Sequence, residues 1–153
     1  MKKIFLTLLL SLLSLFADSE KAAVYDLTTG DIAKFKQMIL KGIATNKGYY
    51  EGKLETFKVA VVIHGNAYKY FVKDLSQSPY TKDKALAKEQ KDIKKRLFSL
   101  ANYYHVHFEV CGIGIKHRKI KPENLYSFVK INKNASIGLI DWQSKGYAYI
   151  PAK

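Results

Sequence analysis

The residues best equipped for chemistry gather between positions 105 and 118. Cys111 is the only cysteine in the 153-residue chain. His105, His107 and Glu109 precede it at alternate positions, and Lys116, His117 and Arg118 follow it closely. A thiolate is a nucleophile, and nearby cations favour the ionised thiol. Gly112 and Gly114 leave the backbone open around the sulfur. A single cysteine cannot close an internal disulfide, so the thiol either packs as a small apolar group or reacts with something external. His64, in His64-Gly65-Asn66, is the second candidate, as base or hydrogen-bond partner of the thiol. Gly65 and Asn66 suit an anion held at a helix start, and Gly112, Lys116, His117 and Arg118 suit one held beside the cysteine.

Alternation along a strand puts His105, His107, Glu109 and Cys111 on one face. Histidine and cysteine are good zinc or copper ligands. Successive same-face residues of one strand stand about 6.6–7 Å apart, however, too far for one ion to take more than two. The pattern is read as a strand face only partly covered by helix or lying at a subunit interface. No metal or cofactor is assigned, and a metal-binding protein stays as a third reading.

The elements that position these residues follow from periodicity. Strands are expected at 22–28, 57–63, 106–110, 128–131 and 147–150. The run at 57–63 is almost wholly apolar and rich in β-branched residues, as in a strand buried on both faces of a parallel sheet. Helices are expected from Ile32 to about Tyr50, at 67–73, at 82–104, from Pro122 to about Tyr126, and from Asn134 or Ser136 to Lys145. The longest carries one apolar stripe, Leu86, Ile93, Leu97 and Leu100, opposite a face of lysines. Asp26 and Asp31 read as turn and cap residues. A basic turn is expected at 116–120.

Strands alternating with helices imply one α/β domain, a flavodoxin-like three-layer sandwich around a mainly parallel sheet of about five strands. Ligands of such sheets bind at the carboxyl edge, where both His64 and Cys111 fall.

Lys2 and Lys3, an apolar run at 4–16 and Ala17 compose a secretory signal peptide at 1–17, leaving a single domain at 18–153. The run is shorter than the roughly 20 residues of a spanning helix, so no stable membrane insertion is expected. Export to a periplasm makes the lone thiol conspicuous, because an oxidising compartment punishes an idle one. The net charge of +13 is compatible with nucleic acid, but export and lysines without interleaved aromatics argue for a solvated basic surface instead. No Gly-x-Ser-x-Gly elbow, Gly-x-Gly-x-x-Gly fingerprint or phosphate loop is present.

Four stretches in order carry a family resemblance. They are Tyr25-Asp26-Leu27-Thr28-Thr29-Gly30-Asp31, Val61-Val62-Ile63-His64-Gly65-Asn66-Ala67, Phe108-Glu109-Val110-Cys111-Gly112 with Arg118 beyond it, and Gly146-Tyr147-Ala148-Tyr149-Ile150-Pro151. In these the chain resembles the exported branch of the DsrE/DsrF-like family of small sulfur-relay proteins. The resemblance implies a flavodoxin-like sandwich that assembles into small oligomers. It also implies that a cysteine in the position of Cys111 carries sulfur as a persulfide and passes it between a donor and an acceptor protein. Ile113 and Ile115 make the cysteine turn more apolar than in related exported sequences, and Lys119 stands where a glycine usually follows the arginine.

Two readings therefore lead. One is a periplasmic sulfur carrier or sulfurtransferase-like protein that uses Cys111 with His64. The other is a non-catalytic module of the same fold that binds a small anion or a protein.

Overall fold

A computed structural model describes residues 20–153; the expected signal peptide lies outside them. Strand β1 (Lys21–Leu27) leads to Asp31, whose carboxylate caps helix α1 (Ile32–Phe35) by accepting from the Lys34 amide at 2.9 Å. The helix continues through a π-helical stretch, Lys36–Lys41, into α2 (Gly42–Glu51). Strand β2 (Phe57–Ile63) is followed by two 3-10 turns, Ala67–Phe71 and Leu75–Gln77. Asp83 caps the long helix α3 (Lys84–Asn102), which a short connection joins to strand β3 (His107–Cys111). Helix α4 (Gly112–His117) starts directly after Cys111. A 3-10 turn at Pro122–Asn124, strand β4 (Val129–Asn132), helix α5 (Ala135–Ser144, capped by Asn134) and strand β5 (Ala148–Ala152) complete the chain.

All five strands are parallel, in the order β4-β3-β2-β1-β5. This is an α/β sandwich of the flavodoxin-like class. The connections β1–β2, β2–β3 and β3–β4 step the same way across the sheet. Right-handed crossovers therefore put their helices on one face. Only the return from β4 to β5 lays a helix, α5, on the other.

The core is accordingly uneven. Tyr25, Leu27, Val59, Val61, Ile63, Phe108 and Val110 belong to one large buried cluster with Phe35, Ile39, Ile43 and the α3 stripe of Leu86, Ile93, Leu97 and Leu100. The alternate residues Val24, Ala60 and Val62 form a small second cluster with Leu139 and Trp142 of α5. Burial on both faces explains why 57–63 reads as an unbroken apolar run.

Three local expectations differ. The helix expected at 67–73 is a 3-10 turn, packed tightly through Ala67, Tyr68, Tyr70 and Phe71. Residues 112–117, expected as a glycine turn running into a basic one, form a helical segment because Cys111 remains in the strand and the chain turns only after it. His105 stands outside β3 with φ +52, so it does not continue the alternate face of His107 and Glu109.

Candidate functional site

Cys111 is the last residue of β3 and the residue from which α4 departs. It is a free thiol, 9% exposed. A functional neighbour is Tyr68, whose hydroxyl is in hydrogen-bonding contact with the Cys111 side chain. Burial first, and then that bond, push the Tyr68 phenol well above its ordinary value. The phenol therefore stays protonated and serves as a donor to sulfur. Tyr68 is placed by the turn after β2, and Gly114 of α4 makes the room: a methyl group built there would overlap the phenol oxygen.

Arg118 closes the other side. Its guanidinium lies 5.1 Å from the centre of the Tyr68 ring, donates to the Gly65 carbonyl, and reaches the Asn66 Oδ1 at 3.3 Å. Gly65 has φ +62, a left-handed conformation that suits glycine, and it turns its carbonyl toward the arginine. Arg118 thus ties the end of α4 to the His64-Gly65-Asn66 turn. Asn66 uses its side-chain oxygen internally. Beside this knot lies an open cavity of about 500 Å³, lined by Gly30, Asp31, Asn66, Lys69, Tyr80, Asp83 and Arg118. Lys69 is paired with Asp83 at 3.0 Å.

His64 follows β2 directly. Its Nε2 lies 2.5 Å from Oδ1 of Asp26, whose Oδ2 accepts from the Tyr149 hydroxyl at 2.5 Å. Asp26 is therefore no turn residue. It sits inside β1, 6% exposed, and is held by residues from two other strand ends. Lys116 and His117 are exposed in the last turn of α4, where positive charge complements the carbonyl end of the helix. Gly112 begins α4 against the backbone of Asn132.

The expected residues thus fall into three groups. Cys111, Gly112, Arg118, Gly65 and Asn66 converge at the carboxyl edge; His64 stands at the same edge but is bonded to Asp26; Lys116 and His117 face solvent. Tyr68, Tyr149 and the role of Asp26 escape a reading by pattern. The signal for Asp26 is a carboxylate inside an otherwise apolar strand; Tyr68 carries none, being one of eleven tyrosines.

On the face covered by α5, Glu109 is buried and bonded by Asn132 at 3.1 Å, by His107 at 3.3 Å and by Trp142. Among the described residues no group of three His, Cys, Asp or Glu side chains is placed to hold a metal ion.

The chain is similar to known proteins. A protein of Aquifex aeolicus (strain VF5), described as uncharacterized, is 31% identical over 153 residues, covering 99% of this chain and 64% of its own length. The chain spans less than two thirds of that relative. A solved structure of a protein of unknown function from Methanobacterium thermoautotrophicum superposes with a TM-score of 0.58 at 17% identity, over 86% of this chain and 98% of its own. That likeness shows the fold. Residues 22–152, nearly all that the structure describes, match the DsrE/DsrF-like family, and the chain belongs to it.

Proposed function

We propose that this protein is a sulfur carrier of the periplasm, with Cys111 as its persulfide site. The observation that carries the reading is the thiol at the carboxyl edge with the protonated Tyr68 hydroxyl bonded to it and Arg118 behind the ring. A thiolate or persulfide anion at Cys111 would accept from that hydroxyl, and the guanidinium adds favourable charge.

The transfer balances without an external oxidant. The Cys111 thiolate attacks the outer sulfur of a donor persulfide, R–S–SH. A new S–S bond forms to Cys111, the bond to R–S breaks, and its electron pair leaves as the R–S⁻ thiolate. Cys111–S–SH then gives its outer sulfur to an acceptor thiolate by the same step. A second cysteine is not needed within the chain. Donor and acceptor are thiol- or persulfide-bearing partners, and the protein works as a homo-oligomer.

The second reading is a non-catalytic module. It is favoured by the low exposure of Cys111 and by the cavity beside Arg118, which would take a small anion or a partner's side chain. Native-state alkylation separates the two. A sulfur carrier labels at Cys111 within a small factor of the urea-unfolded chain at neutral pH. Labelling slower by about a thousandfold, as expected for a thiol reached only by unfolding, contradicts the carrier and supports the module.

A further inference from the structure

The sulfur-carrier step uses Cys111, Tyr68 and Arg118, and leaves the Asp26 cluster unexplained. Asp26 is 6% exposed and both its oxygens are engaged, by His64 from the turn after β2 and by Tyr149 of β5. The sheet register explains the meeting. Asp26 lies opposite Val62 on one side and Pro151 on the other, so Tyr149, two residues before Pro151, shares its face diagonally.

A buried carboxylate that takes a phenol hydrogen on one oxygen is an acceptor on the other as well. Nε2 of His64 therefore carries its hydrogen toward Asp26. In the neutral ring the lone pair is then on Nδ1, which no other described residue engages. The ring is held from behind by the carboxylate and fixed along the backbone, where the His64 amide donates to Leu27 and its carbonyl accepts from Ala67. Its side chain is 29% exposed. An imidazole oriented by a buried carboxylate with its second nitrogen open is a general-base arrangement.

The register also names its object. Ile63 pairs with Val110 in the last rung between β2 and β3, and His64 and Cys111 are the residues that follow them on these neighbouring strands, whose backbones run about 5 Å apart. We infer that Asp26, steadied by Tyr149, is a positioning residue that makes His64 the proton acceptor of the Cys111 thiol. This rests on the sulfur-carrier reading. In the step, Nδ1 takes the hydrogen of Sγ–H, and the bonding pair stays on sulfur as thiolate. The resulting imidazolium keeps its Nε2–H on the Asp26 carboxylate. When the R–S⁻ thiolate departs, Nδ1 returns the proton to it. The group bonded to His64 is Asp26 from β1, with Tyr149 from β5 on the other oxygen of that carboxylate and Arg118 on the neighbouring Gly65 carbonyl.

The test is the rate of Cys111 alkylation by iodoacetamide, a neutral reagent, across pH 5–9 in the folded protein. His64→Gln and Asp26→Asn are both expected to slow it at pH 7 by about tenfold or more and to change its pH profile in the same way. Tyr149→Phe is expected to shift it the same way by less, and Asp26→Glu to recover part of the rate. Should Asp26→Asn fail to fold, as judged by circular dichroism, the Tyr149→Phe profile decides. A wild-type rate and profile in folded Asp26→Asn, or in Tyr149→Phe when that variant decides, overturns the inference while leaving Cys111 reactive. An inert Cys111 in the wild-type protein at every pH overturns the carrier reading itself, and this inference with it.

Discussion

The hydroxyl of Tyr68 rests against the α-carbon of Gly114, so closely that no side chain fits between them. This contact joins the turn after β2 to the helix after β3, and it holds the phenol on the Cys111 thiol. Gly114→Ala must push Tyr68 aside. Urea unfolding is expected to show a loss of about 1–3 kcal/mol, the usual cost of overpacking a filled site. Unchanged stability would mean that the turn yields freely and does not hold Tyr68 in place.

Tyr68→Phe keeps the ring and removes the donor. Stability is expected to stay within about 1 kcal/mol of the wild type. A thiolate that loses one hydrogen bond of this kind is expected to react about three- to tenfold more slowly with a neutral alkylating reagent at pH 7. An unchanged rate would remove Tyr68 from the chemistry and leave it a packing residue.

Alkaline stability follows from the buried phenols. Tyr126 is 2% exposed, its hydroxyl has no partner among the described residues, and burial pushes it up to about 12 from an ordinary 10.0. The unfolded chain releases this proton first. The stabilisation is therefore whole below about pH 10 and is lost as pH rises toward 12. Tyr126→Phe is expected to flatten the fall of the urea midpoint between pH 9 and 11.5. At neutral pH it should stabilise by about 1 kcal/mol, since an unpaired hydroxyl leaves the core.

Glu109 governs the acid side. Burial would raise its carboxyl, but hydrogen bonds from His107, Asn132 and Trp142, with the charge of His107, hold it below the ordinary 4.5. The folded value is depressed, so its stabilisation is present above about pH 4.5 and is lost as pH falls through the lowered folded value. Glu109→Gln is expected to shallow the acid limb of the stability profile measured by urea unfolding from pH 2 to 7. An acid limb that survives unchanged would place its origin elsewhere.

Periodicity made most of the fold legible. The apolar run at β2 and the stripe of α3 are long enough to declare both their type and their buried side. The carboxyl-edge placement of His64 and Cys111 followed from strand order alone. What escaped was decided by contacts between distant segments. Asp26 and Tyr149 are 123 positions apart and meet only because β5 returns to the far side of β1. Tyr68 reaches the thiol from a 3-10 turn, and such short turns have no period to betray which residue points inward. His105 left the alternate face because the chain bends with positive φ between α3 and β3.

Sulfur accepted by Cys111 is visible in the intact mass of the protein. The protein is incubated with inorganic polysulfide, desalted, and weighed before and after reduction. A gain of about 32 Da is expected, which dithiothreitol removes and which Cys111→Ser never acquires. A native wild-type protein that gains no reducible mass, while the same chain unfolded in urea does, would contradict it.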